Sequence, residues 1–380
     1  MTNKIRFWEA VATLVGTIIG AGVLGLPYAI NAFGLIPGFL MLLVLGVAAL
    51  FLNLMFAEIV LRTRYRHQIA GYAKEYLGNF MYRLETAALL IGGYGALTAY
   101  IIGEGGALAA LFGGNPFFYS VIFFIIVSII LFIGLKVVKV FELWMVLIFL
   151  AVIAIIFGFS APAIDFSGWQ KINLANWFMP YGVILFAYGG AASIVSLREI
   201  LRGKERLVKR AVFTASLIPI VVYCLFAIIV IGVTGADTTK IATIGLGEKF
   251  GPLMAMFCNL FAFFAMGTSF LTVGLSVKQF FHFDVKMSKT LAWFATVAVP
   301  AIMFFIGTRD FIKTMEIAGS IAFGITGINI VWTYWRAKRR GDRAPEFSLP
   351  KLKIVGIVLI MLFIAGIGYT VYDLVLGFKI

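Results

Sequence analysis

Apolar residues along this chain follow neither the alternation of a strand nor the narrow stripe of a surface helix. They come in runs of 18 or more, separated by short polar segments. Runs of that length read as membrane-spanning helices, because about 20 residues rising 1.5 Å each cross the hydrocarbon core. Eleven spans are predicted, at about 8–30, 36–61, 83–111, 117–135, 141–161, 177–197, 211–233, 252–280, 290–306, 312–335 and 352–376, numbered 1 to 11 in chain order. The expected fold is all-α and integral to the membrane, with no segment between spans long enough for a soluble domain. The longest, 62–82, suits an interfacial amphipathic helix. Segment 234–250 suits a cap over a vestibule. Segment 336–351, charged and holding two prolines, separates span 11 from what precedes it.

Two spans are interrupted. Residues 12–29, ATLVGTIIGAGVLGLPYA, put four glycines and a proline inside an otherwise apolar stretch. An interior glycine costs a helix about 1 kcal/mol relative to alanine, so a simple anchor has no use for them. Close helix packing through small residues is one reading of Gly16, Gly20 and Gly22. A broken helix is the other: it bares amides and carbonyls, which in hydrocarbon are tolerable only where they face protein or a polar cavity. Residues 179–195, MPYGVILFAYGGAASIV, hold a second break at Tyr188–Gly190, about 170 residues and five spans later. An odd offset places the second copy upside down in the membrane. Paired breaks of this kind point to an inverted repeat with its site between the halves. Residues 1–165 would form the first five-helix repeat, 166–340 the second, and 341–380 an added helix.

Composition and charge narrow this reading. The chain is 62% hydrophobic and 13% charged, with a mean hydropathy of +1.04, which excludes a soluble domain. The net charge of +14 reflects topology. With the N-terminus inside, 25 of the 31 Lys and Arg fall in cytoplasmic segments, and only Lys171, Lys240, Lys249, Arg309, Lys313 and Lys379 lie opposite. The positive-inside rule then sets the N-terminus in the cytoplasm and the C-terminus outside, and no nucleic-acid surface is implied. Cys224 and Cys258 both fall in spans, where a disulfide is not expected. Span 1 is read as a working span and not a signal peptide.

The residues also resemble a known family. GTIIGAGVLGLPYA is similar to the first span of the aromatic and hydroxy amino acid permeases and the wider amino acid/auxin permease group, within the amino acid–polyamine–organocation superfamily. LFAYGGAASIVSLREI followed by RGKERLVKRAV resembles their sixth span and the loop after it, and FFAMGTSFLTVGL at 263–275 their eighth. The resemblance implies the LeuT fold and import of neutral amino acids, apolar or aromatic, by alternating access on a Na+ or H+ gradient. It implies no cofactor beyond the coupling ion, and partners limited to the substrate and membrane lipid. An exchanger or a nutrient sensor on the same fold is the alternative. An enzyme is disfavoured because His67 and His282 lie in loops or at edges, and a channel because the two breaks come from one chain.

Candidate site residues follow. A half-helix starting near Ala21–Gly22 aims amides and a positive dipole end at a carboxylate. Carbonyls around Thr17 and Ile18, beside Gly20, can accept an ammonium group. By resemblance, carbonyls near Phe186 and Ala187 complete that cradle, Tyr188 and Gly189 line the side-chain pocket with Gly190, and Tyr100 of span 3 touches substrate. Ordinary packing is the alternative for Phe186 and Tyr188. The spacing of Ala265, Thr268 and Ser269 resembles the superfamily's sodium site, completed by carbonyls of Gly16 and Ile19. Hydroxyls bonded back to the preceding turn are the plainer reading of Thr268 and Ser269. Lys136 and Lys139 start span 5 too near the cytoplasm to replace sodium. Glu104 in span 3 is either a proton carrier or an interfacial carboxylate near water. Glu58 and Arg62, four apart, suit a local ion pair, and Glu142 and Glu316 read the same way.

Overall fold

A backbone that crosses hydrocarbon must bond to itself, so each apolar run closes into a helix. In a computed structural model, which describes residues 3–133, 151, 154–155, 157–159, 161–165, 172–307 and 309–377, every regular element among the described residues is helical. Among the described residues nine helices are long and apolar enough to cross a membrane, and a bent pair makes a tenth. That pair, Lys4–Ile18 with Ala21–Phe33, bends by 44° and is span 1. The others are Leu35–Arg62 (span 2), Asn79–Phe112 (3), Pro116–Ile133 (4), Met179–Ile200 (6), Glu205–Asp237 (7), Pro252–His282 (8), Lys289–Ile306 (9), Phe311–Arg340 (10) and Lys353–Val375 (11). Ten of the eleven predicted spans thus have helices in the predicted order. Most of span 5 lies outside the described residues, as do Lys136, Lys139 and Glu142.

Short reversals join the spans. Gly34, at φ 131°, lets the chain turn from span 1 directly into span 2, a conformation that a side chain would strain. Segment 62–82 holds the helix Ile69–Leu77, with Tyr72, Ala73 and Tyr76 buried. Segment 234–250 contains Ala242–Phe250, and Lys240 just before it pairs with Asp310 at the start of span 10.

The charged segment before span 11 is tied to the rest of the chain. It folds back onto the end of span 2. Glu58 is fully buried and pairs with Arg62 (2.7 Å), as its spacing predicts, and also with Lys338 (2.9 Å). The same carboxylate accepts from the Leu349 amide (2.7 Å) and Ser348 Oγ (3.2 Å). Arg343 reaches the Leu61 carbonyl, and Asp342 accepts from the Arg64 amide. A buried carboxylate needs this many donors to offset lost hydration, and two of its partners lie some 290 residues away. Glu316 pairs with Lys313 (3.5 Å), again the local partner expected.

Candidate functional site

The break in span 1 is a change of hydrogen-bond partners. One helix ends at Ile18, a tight turn of 3-10 geometry covers Ala21–Gly25, and an α-helix resumes at Leu26. Gly20 between them is extended (φ −110°, ψ −152°). Its amide donates to Ile18 O (2.9 Å), the Val23 amide donates to Gly20 O (3.4 Å), and the Ala21 amide turns to Ser269 Oγ on span 8 (3.4 Å). The carbonyls of Gly16, Thr17 and Ile19 therefore lose the donors four residues ahead that a continuous helix supplies.

Span 6 breaks differently. Its helix Met179–Ala187 ends at Tyr188, and the chain resumes at Ala191 as a short turn leading into Ile194–Ile200. The Gly189 amide folds back to Phe186 O (3.1 Å), which removes the helical donor from Leu185 O. The two breaks touch: a Cβ on Gly22 would stand 2.7 Å from Ala187 Cα, and one on Gly190 would collide with the Ile18 side chain. Tyr223 of span 7 joins them. Its hydroxyl lies 2.8 Å from Ile18 O and 2.8 Å from Ala187 O, and with one proton it donates to one carbonyl at a time.

Beside the breaks lies a cavity of about 340 Å³, within the range of small-molecule sites. It is lined by Gly16, Thr17, Ile18, Ile19, Gly20 and Gly22 of span 1, Phe186 and Gly189 of span 6, Tyr100 of span 3, and Ala265, Thr268 and Ser269 of span 8. The Tyr100 and Phe186 rings meet edge to face at 6.2 Å. The cavity runs on past Glu85, Ser276 and Thr326, toward the span ends that adjoin the basic segments. In the other direction side chains fill the space. Ile312 and Met315 press on Gly25, and Phe311 and Met266 on Gly103, where there is no room for a Cβ without a shift.

All five residues of the expected cation cage line this cavity, as do Thr17, Ile18, Gly20, Gly22, Tyr100, Phe186 and Gly189. Ala21, Ala187, Tyr188 and Glu104 do not. Tyr188 turns behind the break: it is buried, its hydroxyl donates to Leu42 O of span 2 (3.3 Å), and its ring lies against Tyr223 (5.3 Å). Of the four carbonyls expected in the ammonium cradle, Phe186 O and Ala187 O each accept one bond, from the Gly189 amide and the Tyr223 hydroxyl, and keep a lone pair. Ile18 O accepts from both the Gly20 amide and Tyr223, and Thr17 O has lost its helical donor. Thr268 Oγ donates to Phe264 O (2.8 Å), the plainer reading of that residue, yet its lone pairs remain for a cation. Ser269 instead holds the span 1 break. Glu104 does not reach water. It is fully buried, and neither oxygen has a hydrogen-bond partner among the described residues.

Sequence reasoning missed two residues that the structure places here, Tyr223 and Glu85. Each is a polar group inside an apolar run, which by itself marks a candidate. Glu85 lines the cavity and accepts from Thr326 Oγ1 (2.7 Å) and Asn329 Nδ2 (2.7 Å) of span 10.

Comparison with known proteins finds relatives over most of the chain. The chain is 26% identical over 358 residues to tyrosine-specific transport system 1 of Haemophilus influenzae, covering 87% of this chain and 88% of that protein. It is 23% identical over 400 aligned positions to tyrosine-specific transport system 2 of the same organism, covering 96% and 98%. The profile of the tryptophan/tyrosine permease family matches residues 2–370. A match of that extent, on a chain of helical spans, means that the protein belongs to the tryptophan/tyrosine permease family of membrane transporters and is not an enzyme.

Proposed function

We propose that the protein is a secondary active importer of aromatic amino acids that works by alternating access on a Na+ or H+ gradient. In this reading the spans form a LeuT-like fold of eleven helices, two inverted five-helix repeats with breaks in spans 1 and 6, plus span 11. The N-terminus lies in the cytoplasm and the C-terminus outside. The observation that carries the proposal is the meeting of two backbone breaks beside one cavity, with bared carbonyls on span 1 and an aromatic pair, Tyr100 and Phe186, at its wall. An amino acid zwitterion needs an anion receptor and a cation receptor without a buried formal protein charge. Bared backbone supplies both. The aromatic rings suit an aromatic side chain, and tyrosine is the substrate named for both relatives. The cavity extends toward the basic, cytoplasmic ends of the spans, so this conformation is the inward-facing one.

Sodium is the coupling ion in the first reading. Gly16, Ile19, Ala265, Thr268 and Ser269 border one seam between spans 1 and 8, and neutral oxygens of this kind replace an ion's hydration shell. A proton is the second reading, favoured by the two oxygens of Glu104, which have no partner among the described residues. A charge there would stand uncompensated at a cost of several kcal/mol, which suits a group that carries a proton. The test is uptake of labelled tyrosine and tryptophan into proteoliposomes of the purified protein under an imposed Na+ or pH gradient. Accumulation driven by Na+ supports the cage. Accumulation driven by pH, abolished in Glu104→Gln, supports the proton. Uptake seen only against preloaded amino acid makes the protein an exchanger, and binding without uptake a sensor. No saturable binding of either amino acid contradicts the proposal.

A further inference from the structure

About 22 Å along span 3 from Tyr100, at 1.5 Å per residue, the wall of the same cavity carries a carboxylate that the break site does not use. Glu85 is 3% exposed. Thr326 Oγ1 donates to one of its oxygens and Asn329 Nδ2 to the other, each at 2.7 Å. Both donors are neutral, and among the described residues no Lys or Arg makes an ion pair with it. The two bonds fix the carboxylate in place and leave a lone pair on each oxygen. Asn329 adds another acceptor: it is 1% exposed and its Oδ1 has no donor among the described residues. The corner thus holds acceptors in excess and one uncompensated negative charge. A proton would satisfy one lone pair only. A primary ammonium carries three N–H donors and the missing charge. Leu89, Val277, Phe323 and Ile330 line the adjoining wall and offer apolar surface to a ring.

We infer that Glu85, Thr326 and Asn329 form a second receptor, for the ammonium group of an aromatic primary amine, at the basic end of the cavity. The inference rests on the aromatic amino acid reading above. An amino acid is too short to span about 22 Å, so the two sites are occupied in turn. A ligand without a carboxylate has no use for the amides of the span 1 break and depends on Glu85.

The test is equilibrium binding of tyramine, tyrosine and 3-(4-hydroxyphenyl)propionate to the purified full-length protein and to Glu85→Gln. Glutamine keeps the shape, and Asn329 can turn its amide over so that its free oxygen accepts from the new NH2. Tyramine is expected to bind the native protein and to weaken at least about tenfold in Glu85→Gln, the loss of a charge-assisted hydrogen bond. The propionate, which has no ammonium, should bind both proteins alike. Asn329→Leu, which keeps the charge and removes the second acceptor, should weaken tyramine by a smaller factor. The inference is overturned if the native protein does not bind tyramine or if Glu85→Gln leaves its affinity unchanged. An equal loss for the propionate overturns it as well, since that marks a structural role. Tyrosine separates the two proposals. Native protein that binds tyramine through Glu85 but does not bind tyrosine keeps this inference and loses the transport reading. The reverse pattern loses this inference alone.

Discussion

The two helix breaks look alike in the sequence, glycine-rich interruptions of apolar runs, yet they are built for different work. In span 1 the missing side chains allow contact: Gly22 lies on the backbone of Ala187, and Gly20 on Ser269 Oγ. Its amides are redirected and three of its carbonyls are left without helical donors. In span 6, Gly189 faces the cavity, and a Cβ there would come near only the chain's own Phe186 carbonyl, at 3.1 Å. Span 1 therefore supplies polar backbone, and in span 6 Gly189 supplies room while Gly190 admits the Ile18 side chain. Tyr223 couples the two by reaching one carbonyl from each. Similar glycine content thus serves close approach at Gly22 and volume at Gly189, and substitutions should tell them apart.

The largest effect is expected at the contact. In Gly22→Val the new side chain must displace the Ala187 backbone, and overpacking of this kind reaches about 3 kcal/mol, or roughly 100-fold in tyrosine affinity. Equilibrium binding on monodisperse protein checks it, and near-native affinity would break the contrast. The coupling hydroxyl comes next. Tyr223→Phe leaves a buried carbonyl without its donor, worth about 1–3 kcal/mol, so tyrosine affinity should fall about tenfold. Tyr188→Phe, whose hydroxyl bonds Leu42 O away from the cavity, should leave affinity within about twofold. Equal losses in the two variants would remove Tyr223 from its coupling role.

Room at span 6 predicts a change of preference. Gly189→Leu should lower the ratio of tyrosine to alanine uptake by roughly fivefold, as expected for side-chain bulk in an apolar pocket, with thermal stability little altered. An unchanged ratio would mean that Gly189 does not border the substrate's side chain.

The smallest effect is expected outside the cavity lining, at the Lys240–Asp310 pair. Burial pushes the Asp310 carboxyl up, but hydrogen bonds from Lys240 and the Lys313 amide, with the Lys240 charge, outweigh it and hold it below the ordinary value. Its contribution is therefore full at neutral pH and is lost as pH falls through the lowered folded-state value. Exposed pairs contribute about 1 kcal/mol or less. Asp310→Asn should lower the melting temperature by no more than about 2 °C at neutral pH, and the difference should vanish in acid. Tyrosine affinity should not change.

Much of this was legible in the sequence because hydrocarbon leaves a helix few options. Apolar runs gave ten described spans in order, and the glycines at 20, 22, 189 and 190 marked both breaks to the residue. Rotation about a helix axis was not legible. Tyr188 sits one residue from Gly189 but faces span 2, and a one-residue step turns a side chain by about 100°. Partners distant in sequence were hidden as well. Glu58 shows Arg62 four residues on, but nothing in its neighbourhood shows Lys338, Ser348 or Leu349. Tyr223 and Glu85 were findable as polar groups within apolar runs. Their roles depend on carbonyls and amides from other spans.

The most direct measurement is an experimental structure of the protein with bound tyrosine. The account predicts the carboxylate at the amides that open the second half of span 1, the ammonium at the Thr17 carbonyl, and the ring beside Tyr100, Phe186 and Gly189. Tyrosine bound elsewhere, with the space beside Gly20, Gly22 and Phe186 empty, would contradict it.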